Sequence, residues 1–204
     1  MARRINEIFY SLQGEGAHTG VPCVFVRFSG CNLRCPFCDT AHERGVEMTD
    51  AEIIDYVNTY SCEWIVLTGG EPSLWIDDDF IRALHIGTGK KIAIETNGTR
   101  RVPDEIDWIT LSPKIGMTEA ASAAEASVLR VQRADEIKVV DIGQDLEPYF
   151  HLRQAGSTTA MFLQPCFVPD PERYGANVAR TVSRVKSDPR WRLSLQTHRY
   201  LGIP

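Results

Sequence analysis

Three cysteines lie close together in the chain, at Cys31, Cys35 and Cys38. Thiolates are soft ligands that prefer iron and zinc, and thiolates at this spacing can converge on one metal centre from a single loop. Structural zinc usually takes four protein ligands, whereas a four-iron cluster held by three cysteines leaves one iron open for a cofactor. The spacing therefore favours an open [4Fe-4S] cluster, with a zinc loop or a disulfide framework as the alternatives.

The other three cysteines stand alone in the sequence, at Cys23, Cys62 and Cys166. Isolated cysteines most often behave as small buried apolar residues, so we do not expect them to bind the metal. In a chain that we expect to be cytosolic, clustered cysteines indicate metal or redox chemistry before disulfides.

The composition is that of a globular protein that binds a small molecule. With 204 residues, 43% of them hydrophobic, the chain can bury one substantial core, and we expect a single domain over residues 1–204. A net charge of −5 argues against a nucleic-acid partner. We recognise no signal peptide and no apolar run of transmembrane length, so we predict a cytoplasmic protein without membrane contact.

Apolar runs typical of buried strands alternate with amphipathic segments along the chain. Helices are predicted to begin at Thr49–Glu52 and at Asp77–Asp79, and to lie near Leu146–Gln154 and along Val178–Val185, whereas residues 117–130 fit a weak helix or a mobile connection. The pattern predicts an α/β fold with parallel strands, and its six or so units fall short of a closed eight-stranded barrel. We therefore predict a partial TIM-type barrel with these strands: 5–10, 21–28, 64–68, 91–95, 108–111, 137–140, 161–165 and 192–196.

Polar or glycine-containing motifs follow several predicted strands. Each motif alone is an ordinary turn or helix cap, but the carboxyl ends of parallel strands meet at one edge of a sheet. We therefore expect the motifs to form one site with the cysteines, glycine allowing close backbone approach. The motifs are Thr68-Gly69-Gly70-Glu71-Pro72, Glu95-Thr96-Asn97-Gly98, Ser112-Pro113-Lys114 and Gln164-Pro165.

Arg27 is a charged residue inside the apolar run Val24–Phe28, directly before the cysteine loop. A guanidinium in such a strand requires an anionic partner. That partner is either a substrate anion, which we favour, or a carboxylate of the protein.

The cysteine spacing, with Phe37 before the last cysteine, resembles the signature of radical S-adenosylmethionine (SAM) enzymes. In those enzymes the open iron is chelated by SAM, which is cleaved to a 5′-deoxyadenosyl radical. Further segments, Phe9–Gly16, Arg27–Leu33, Cys38–Thr40 and Ile203-Pro204, resemble the 7-carboxy-7-deazaguanine synthase family over essentially the whole chain. That resemblance implies conversion of 6-carboxy-5,6,7,8-tetrahydropterin to 7-carboxy-7-deazaguanine with loss of ammonia, in queuosine biosynthesis.

The resemblance also implies roles for individual residues. It implies a substrate site of Leu12, Gln13, Gly14, Arg27, Thr68 and Pro204, with residues near the chain end closing the pocket. It implies cofactor contacts from Phe37, Cys38, Asp39, Gly70, Ser112, Pro113, Lys114 and Gln164, a cluster on Cys31, Cys35 and Cys38, and Mg²⁺ at Thr40. Glu15 and His198 are the candidates for proton transfer, which stays unassigned.

The expected partners are the pterin substrate and a reductant such as flavodoxin or ferredoxin, with a homodimer implied by the resemblance only. Two alternatives stay open at this point. One is an activase that installs a glycyl radical on a partner protein, and the other is a zinc-binding interaction module without catalysis.

Overall fold

The computed structural model describes residues 2–153 and 159–204, and their strands form one sheet. The strands are β1 (Ala2–Leu12), β2 (Pro22–Phe28), β3 (Val46–Thr49), β4 (Trp64–Gly69), β5 (Lys91–Thr96), β6 (Trp108–Leu111), β7 (Glu136–Asp141), β8 (Ala160–Pro165) and β9 (Arg192–Leu193). Their order in the sheet is β3-β1-β2-β4-β5-β6-β7-β8-β9, so the first and last strands do not meet. The predicted α/β fold with an unclosed barrel is confirmed, although the sheet of the described residues has nine strands where about six units were predicted.

The strands from β2 onward run parallel, whereas β1 is antiparallel to both β2 and β3. The expectation of parallel strands was therefore wrong at the start of the chain. Residues 13–21 are too short a connection for a helical crossover, so β1 and β2 form a hairpin. Strand β3, which the apolar pattern did not predict, pairs with the outer edge of β1.

Six helices surround the sheet in the described residues: α1 (Asp50–Asn58), α2 (Asp78–Thr88), α3 (Ala120–Ala126), α4 (Glu147–Phe150), α5 (Pro171–Ser187) and α6 (Thr197–Leu201). Helix α3 resolves the ambiguous stretch 117–130. Helix α4 is shorter than the predicted 146–154, and Gln154 lies outside the described residues. The last strand is also shorter than predicted, because Gln196 already precedes α6. None of these helices is long and apolar enough to cross a membrane.

Local capping explains where the helices next to the site begin. The Thr49 hydroxyl accepts from the backbone N–H of Glu52 at 3.3 Å, and the Glu52 carboxylate accepts from the backbone N–H of Thr49 at 2.8 Å. This is the predicted capping box at the start of α1. Asp77 caps α2 in the same way by accepting from the Phe80 N–H at 2.9 Å.

The concave face of the sheet has an apolar lower half and a polar upper half. At the amino end His18 packs between Trp64 and Trp108, with ring centroids 4.7 and 4.4 Å away. Because strand side chains alternate between faces, the residues two positions further along each strand point to the same concave side. The lower half contains Cys23, Phe25, Val66 and Ala93, and the upper half contains Arg27, Thr68 and Glu95.

Candidate active site

A cavity of about 1020 Å³ opens above the carboxyl ends of the parallel strands. The predicted site residues come together there with one exception. Pro113 is buried and does not line the cavity. The residues that do line it are Leu12, Gln13, Gly14, Arg27, Cys31, Cys35, Phe37, Cys38, Asp39, Thr40, Thr68, Gly70, Ser112, Lys114, Gln164 and Pro204.

The cysteine loop, residues 29–45, contains no helix or strand and joins β2 to β3. Its three cysteines are free thiols. Burial raises the pKa of Cys31 to about 11 and also raises the pKa of Cys35. The Cys31 and Cys35 thiols are therefore protonated at neutral pH without a metal, and metal binding must displace those two protons.

The donor set of this loop fits a four-iron cluster better than a single zinc ion. In the described part of the chain, no three His, Cys, Asp or Glu side chains are close enough to share one metal ion. A four-iron cluster does not require such convergence, because each cysteine binds a different iron. Three soft donors facing one cavity are the ligands that an open cluster requires.

Hydrogen bonds of the Asn32 side chain hold the cysteine loop in place. Its side-chain amide donates to Thr99 Oγ1 at 2.8 Å and to Glu125 Oε1 at 2.7 Å. Its carbonyl oxygen accepts from Asn97 Nδ2 at 3.1 Å. Asn97 belongs to the Glu-Thr-Asn-Gly motif and Glu125 to α3, so both segments support the cysteine loop.

The Gly-Gly-Glu-Pro motif packs against the start of the same loop. A Cβ atom on Gly70 would overlap the carbonyl oxygen of Gly30, which itself accepts from the Glu71 N–H at 2.9 Å. The Glu71 side chain is buried and accepts from Thr96 Oγ1 and from the Asn97 N–H, each at 2.7 Å. The close approach that glycine allows here is therefore to the protein's own backbone, next to the cavity.

The Ser-Pro-Lys motif contributes two polar groups to the cavity wall. Lys114 Nζ donates to the backbone carbonyl of Ser112 at 2.7 Å and to its hydroxyl at 2.6 Å. Burial lowers the pKa of Lys114 below its ordinary value.

Three charged side chains form what we call the charged floor of the cavity: Glu15, Glu95 and Lys138. Lys138 is 6% exposed, and its Nζ contacts Glu15 Oε2 directly and Glu95 Oε1 at 3.1 Å. Glu95 also accepts from Gln13 Nε2 at 3.3 Å and from Thr68 Oγ1 at 3.0 Å. Two predicted substrate residues are thus hydrogen-bonded to one carboxylate.

Glu15 and Lys138 stay ionised in the charged floor despite burial. Burial by itself raises the pKa of Glu15, but Lys138 and the Gln196 amide lower it by more, so the net pKa is below the ordinary value. Burial likewise opposes the charge on Lys138, yet its two carboxylate neighbours raise its pKa overall. The Glu15–Lys138 pair is therefore ionised on both sides at neutral pH.

Gln196 connects the charged floor to the cysteine loop. Its side-chain amide donates to Glu15 Oε1 at 2.9 Å and to Asp39 Oδ2 at 3.3 Å. Arg199 donates to the same Asp39 oxygen at 2.6 Å and stacks over Phe167, with its guanidinium carbon 3.5 Å from the ring centroid. The two sides of the cavity are joined through this polar chain.

The segment from α6 to Pro204 covers the loop that follows β1. Thr197 donates to the Gly14 carbonyl from both its N–H and its hydroxyl, each at 3.0 Å. A Cβ atom on Gly14 would overlap the His198 ring, so only glycine fits there. Burial lowers the pKa of His198, so its imidazole is neutral at pH 7. The Pro204 backbone oxygen accepts from Ser11 Oγ at 2.7 Å.

Arg27 lies in the cavity wall with a carboxylate partner from the protein. Its Nε donates to Glu7 Oε1 at 2.7 Å, and the two residues face each other across the β1–β2 pair. The side chains are 24% and 51% exposed respectively, so the ion pair is accessible from the cavity. The sequence left open a protein carboxylate or a substrate anion as the partner, and the structure supplies the first.

Sequence reasoning missed Lys138, Gln196 and Arg199. Lys138 had a usable signal, because it interrupts the buried apolar strand β7 just as Arg27 interrupts β2. Gln196 and Arg199 follow the last strand without any motif, so no comparable signal pointed to them.

Comparison with known proteins identifies the superfamily and a group within it. Residues 25–113 match the model of the radical SAM superfamily. A 7-carboxy-7-deazaguanine synthase of Bacteroides thetaiotaomicron is 53% identical, with both chains covered in full. The enzyme of the same name from Nitratidesulfovibrio vulgaris is 36% identical, again over the full length of both.

The fold is also similar to that of a solved structure. The crystal structure of QueE from Escherichia coli matches with a TM-score of 0.70, covering 96% of this chain and 94% of that one at 27% identity. Neither the activase nor the zinc module receives support from these matches. The chain is therefore an enzyme of the radical SAM superfamily, which uses a [4Fe-4S] cluster and SAM, and it belongs to the 7-carboxy-7-deazaguanine synthase family.

Proposed function

We propose that the chain converts 6-carboxy-5,6,7,8-tetrahydropterin to 7-carboxy-7-deazaguanine with release of ammonia, in queuosine biosynthesis. The observation that carries this proposal is one cavity with two different sides. Three thiols line one side of the cavity, and polar and charged side chains line the other. The chain is also 53% identical over its full length to a named synthase.

Cys31, Cys35 and Cys38 would hold the cluster. When bound, cluster and SAM together supply hydrogen-atom abstraction from the pterin carbon that bears the carboxylate. Around them the chain offers Asp39, Gly70, Ser112, Lys114 and Gln164 as contacts for SAM, as well as Phe37 as an apolar wall. Asp39 is held in place by Arg199 and Gln196.

The substrate side is suited to a pterin. A pterin presents an edge of alternating donors and acceptors, which the Gln13 amide, the backbone at Leu12 and Gly14, and the Thr68 hydroxyl read in complementary fashion. Its carboxylate would displace Glu7 from Arg27 and gain a charge-assisted hydrogen bond. Pro204 lies at the edge of the same space.

The contribution of the protein is orientation and exclusion of water. The segment from α6 to Pro204 covers the substrate loop. Neutral His198 beside Gly14 is suited to accept a proton, while ionised Glu15 stays engaged by Lys138 and Gln196. We leave the donor of the proton that departs with ammonia unassigned.

Further parts of the proposal rest on the family. We propose that Thr40 binds Mg²⁺. Because one hydroxyl alone binds this hard ion too weakly, the affinity for Mg²⁺ depends on oxygen atoms of the bound substrate. We also propose one domain over residues 1–204, a homodimer, a cytoplasmic location and reduction by a flavodoxin or ferredoxin. Substrate affinity with and without Mg²⁺, together with sedimentation analysis, tests the metal and the dimer.

Anaerobic turnover tests the reaction itself. The reconstituted protein is incubated with SAM, a reductant and the pterin, and 7-carboxy-7-deazaguanine and ammonia are quantified. Equimolar formation of both products is expected. SAM cleavage without consumption of pterin would instead point to another substrate such as a partner polypeptide, and protein that takes up zinc but no iron would point to the interaction module.

A further inference from the structure

We propose that Lys138 is a positioning residue for the pterin, acting through Glu15 and Glu95. This inference rests on the proposed function and adds a residue to it. Lys138 projects from β7 onto the cavity floor, and it bridges a carboxylate from the loop after β1 to a carboxylate from β5.

The hydrogen bonds around Lys138 lead directly to predicted substrate contacts. Glu95, held by Lys138, fixes the Thr68 hydroxyl and the Gln13 amide nitrogen. The Gln13 amide oxygen in turn accepts from the Glu15 N–H at 3.1 Å. The Gln13 amide is therefore held at both ends by residues that Lys138 links, which fixes the donor and acceptor that it presents.

Charge balance explains why the link requires a cation. Without Lys138 the floor holds two carboxylates that face each other in a mostly buried site. Like charges in such a site cannot both stay ionised at low cost, so one carboxylate binds a proton or moves away. Either change removes an acceptor from the network and lets the Gln13 amide and the 13–15 loop reorient.

Within the described residues, Lys138 makes no hydrogen bond to the cofactor side, and its link to that side runs through Glu15 and Gln196 to Asp39, which Arg199 also holds. Lys114 and Ser112 bond each other, and Asn32 holds the cysteine loop through Asn97, Thr99 and Glu125. Loss of Lys138 should therefore weaken pterin binding selectively, whereas a residue that supports only the overall fold would affect both ligands alike.

The test compares dissociation constants of the pterin and of SAM under anaerobic conditions in wild type, Lys138→Met and Lys138→Arg. We expect Lys138→Met to weaken pterin binding at least about tenfold while the SAM constant stays within about twofold. Lys138→Arg, which keeps the charge, should recover most of the loss. Lys90→Met is the matched control, because among the described residues this partly buried lysine donates to two backbone carbonyls, those of Tyr60 and Cys62, at 2.9 and 2.8 Å.

Several outcomes would overturn the inference. These are a pterin constant in Lys138→Met within about twofold of wild type, equal weakening of both ligands, or the same selective loss in Lys90→Met. Because a dissociation constant reports on folded molecules only, partial unfolding of the variant does not hide the answer. The charge-balanced variant Lys138→Met/Glu15→Gln removes the conflict between the two carboxylates and should recover part of the pterin affinity that Lys138→Met loses, whereas affinity as low as in Lys138→Met would contradict the charge argument. Absence of pterin binding in wild type would instead count against the proposed function.

Discussion

The cysteine loop and the charged floor share one cavity but are built in opposite ways. The loop is a continuous stretch held by one amide side chain, Asn32, which accepts from Asn97 and donates to Thr99 and Glu125. The floor is assembled from three distant elements and is held by charge. The cofactor side can therefore be recognised from the spacing of cysteines in one short stretch of sequence. The substrate side forms only when the sheet brings residues from distant parts of the chain together.

Breaking the cysteine loop should have the largest effect. Each of Cys31→Ala, Cys35→Ala and Cys38→Ala should lose the cluster and with it all SAM cleavage, because each of the three cysteines would bind a different iron of the cluster. Iron and sulfide content and the visible absorbance of anaerobic protein measure this. Cys62→Ala is the control, and a normal cluster in Cys35→Ala would refute the assignment.

Arg27→Ala tests whether pterin binding can be weakened without loss of SAM cleavage. Arg27→Ala should weaken pterin binding by about 2 kcal/mol, or ~30-fold, because the substrate carboxylate loses its cation in a partly exposed site. SAM cleavage without substrate should survive. Arg82→Ala, which removes a surface ion pair with Glu105, is the control and should leave both unchanged. Equal damage to both reactions would mark Arg27 as structural.

Asn32→Ala tests how much a single amide side chain contributes to holding the cysteine loop. Asn32→Ala removes one acceptor and two donor contacts that are partly buried, so the free energy of unfolding of the apoprotein should fall by about 1–3 kcal/mol. Urea titration measures it, and cluster uptake during reconstitution should fall as well. Asn58→Ala, which removes an exposed bond to the Gly87 carbonyl, should cost less. Equal losses in the two variants would mean that Asn32 is not a special anchor.

Adding residues after Pro204 tests whether the segment from α6 to Pro204 contributes to pterin binding. Pro204 lies in the cavity wall against Ser11, so several added residues should displace it and weaken pterin binding by a few-fold. SAM binding should be unaffected. Unchanged kcat/KM in the extended protein would show that this segment only packs against the fold.

The smallest effect concerns acid stability of the floor. The pKa of Glu15 is lowered on folding, so its ionised form stabilises the protein above the ordinary value of 4.5, and this contribution is lost as pH falls through the lowered value. The difference in unfolding free energy between wild type and Glu15→Gln should therefore shrink below pH 4.5 in urea titrations. A difference that is constant with pH would show that Glu15 contributes through packing alone.

Much of this molecule could be predicted from its sequence. The apolar runs predicted the parallel strands, and the placement of motifs after those strands correctly indicated one cavity. The hairpin of β1 and the edge strand β3 were not predicted, because pairing direction depends on loop length and on partners distant in sequence. Lys138 was overlooked although it carries the same signal as Arg27. Gln196 and Arg199 gain their positions only from the way the last helix folds back.

Transfer of deuterium tests whether both sides of the cavity act on one pterin. The pterin is labelled with deuterium at the carbon that bears the carboxylate and is converted anaerobically by the reconstituted enzyme. We expect deuterium in the 5′-deoxyadenosyl part of the cofactor together with formation of 7-carboxy-7-deazaguanine. If product forms while the cofactor stays unlabelled, the two sides do not act together on the pterin.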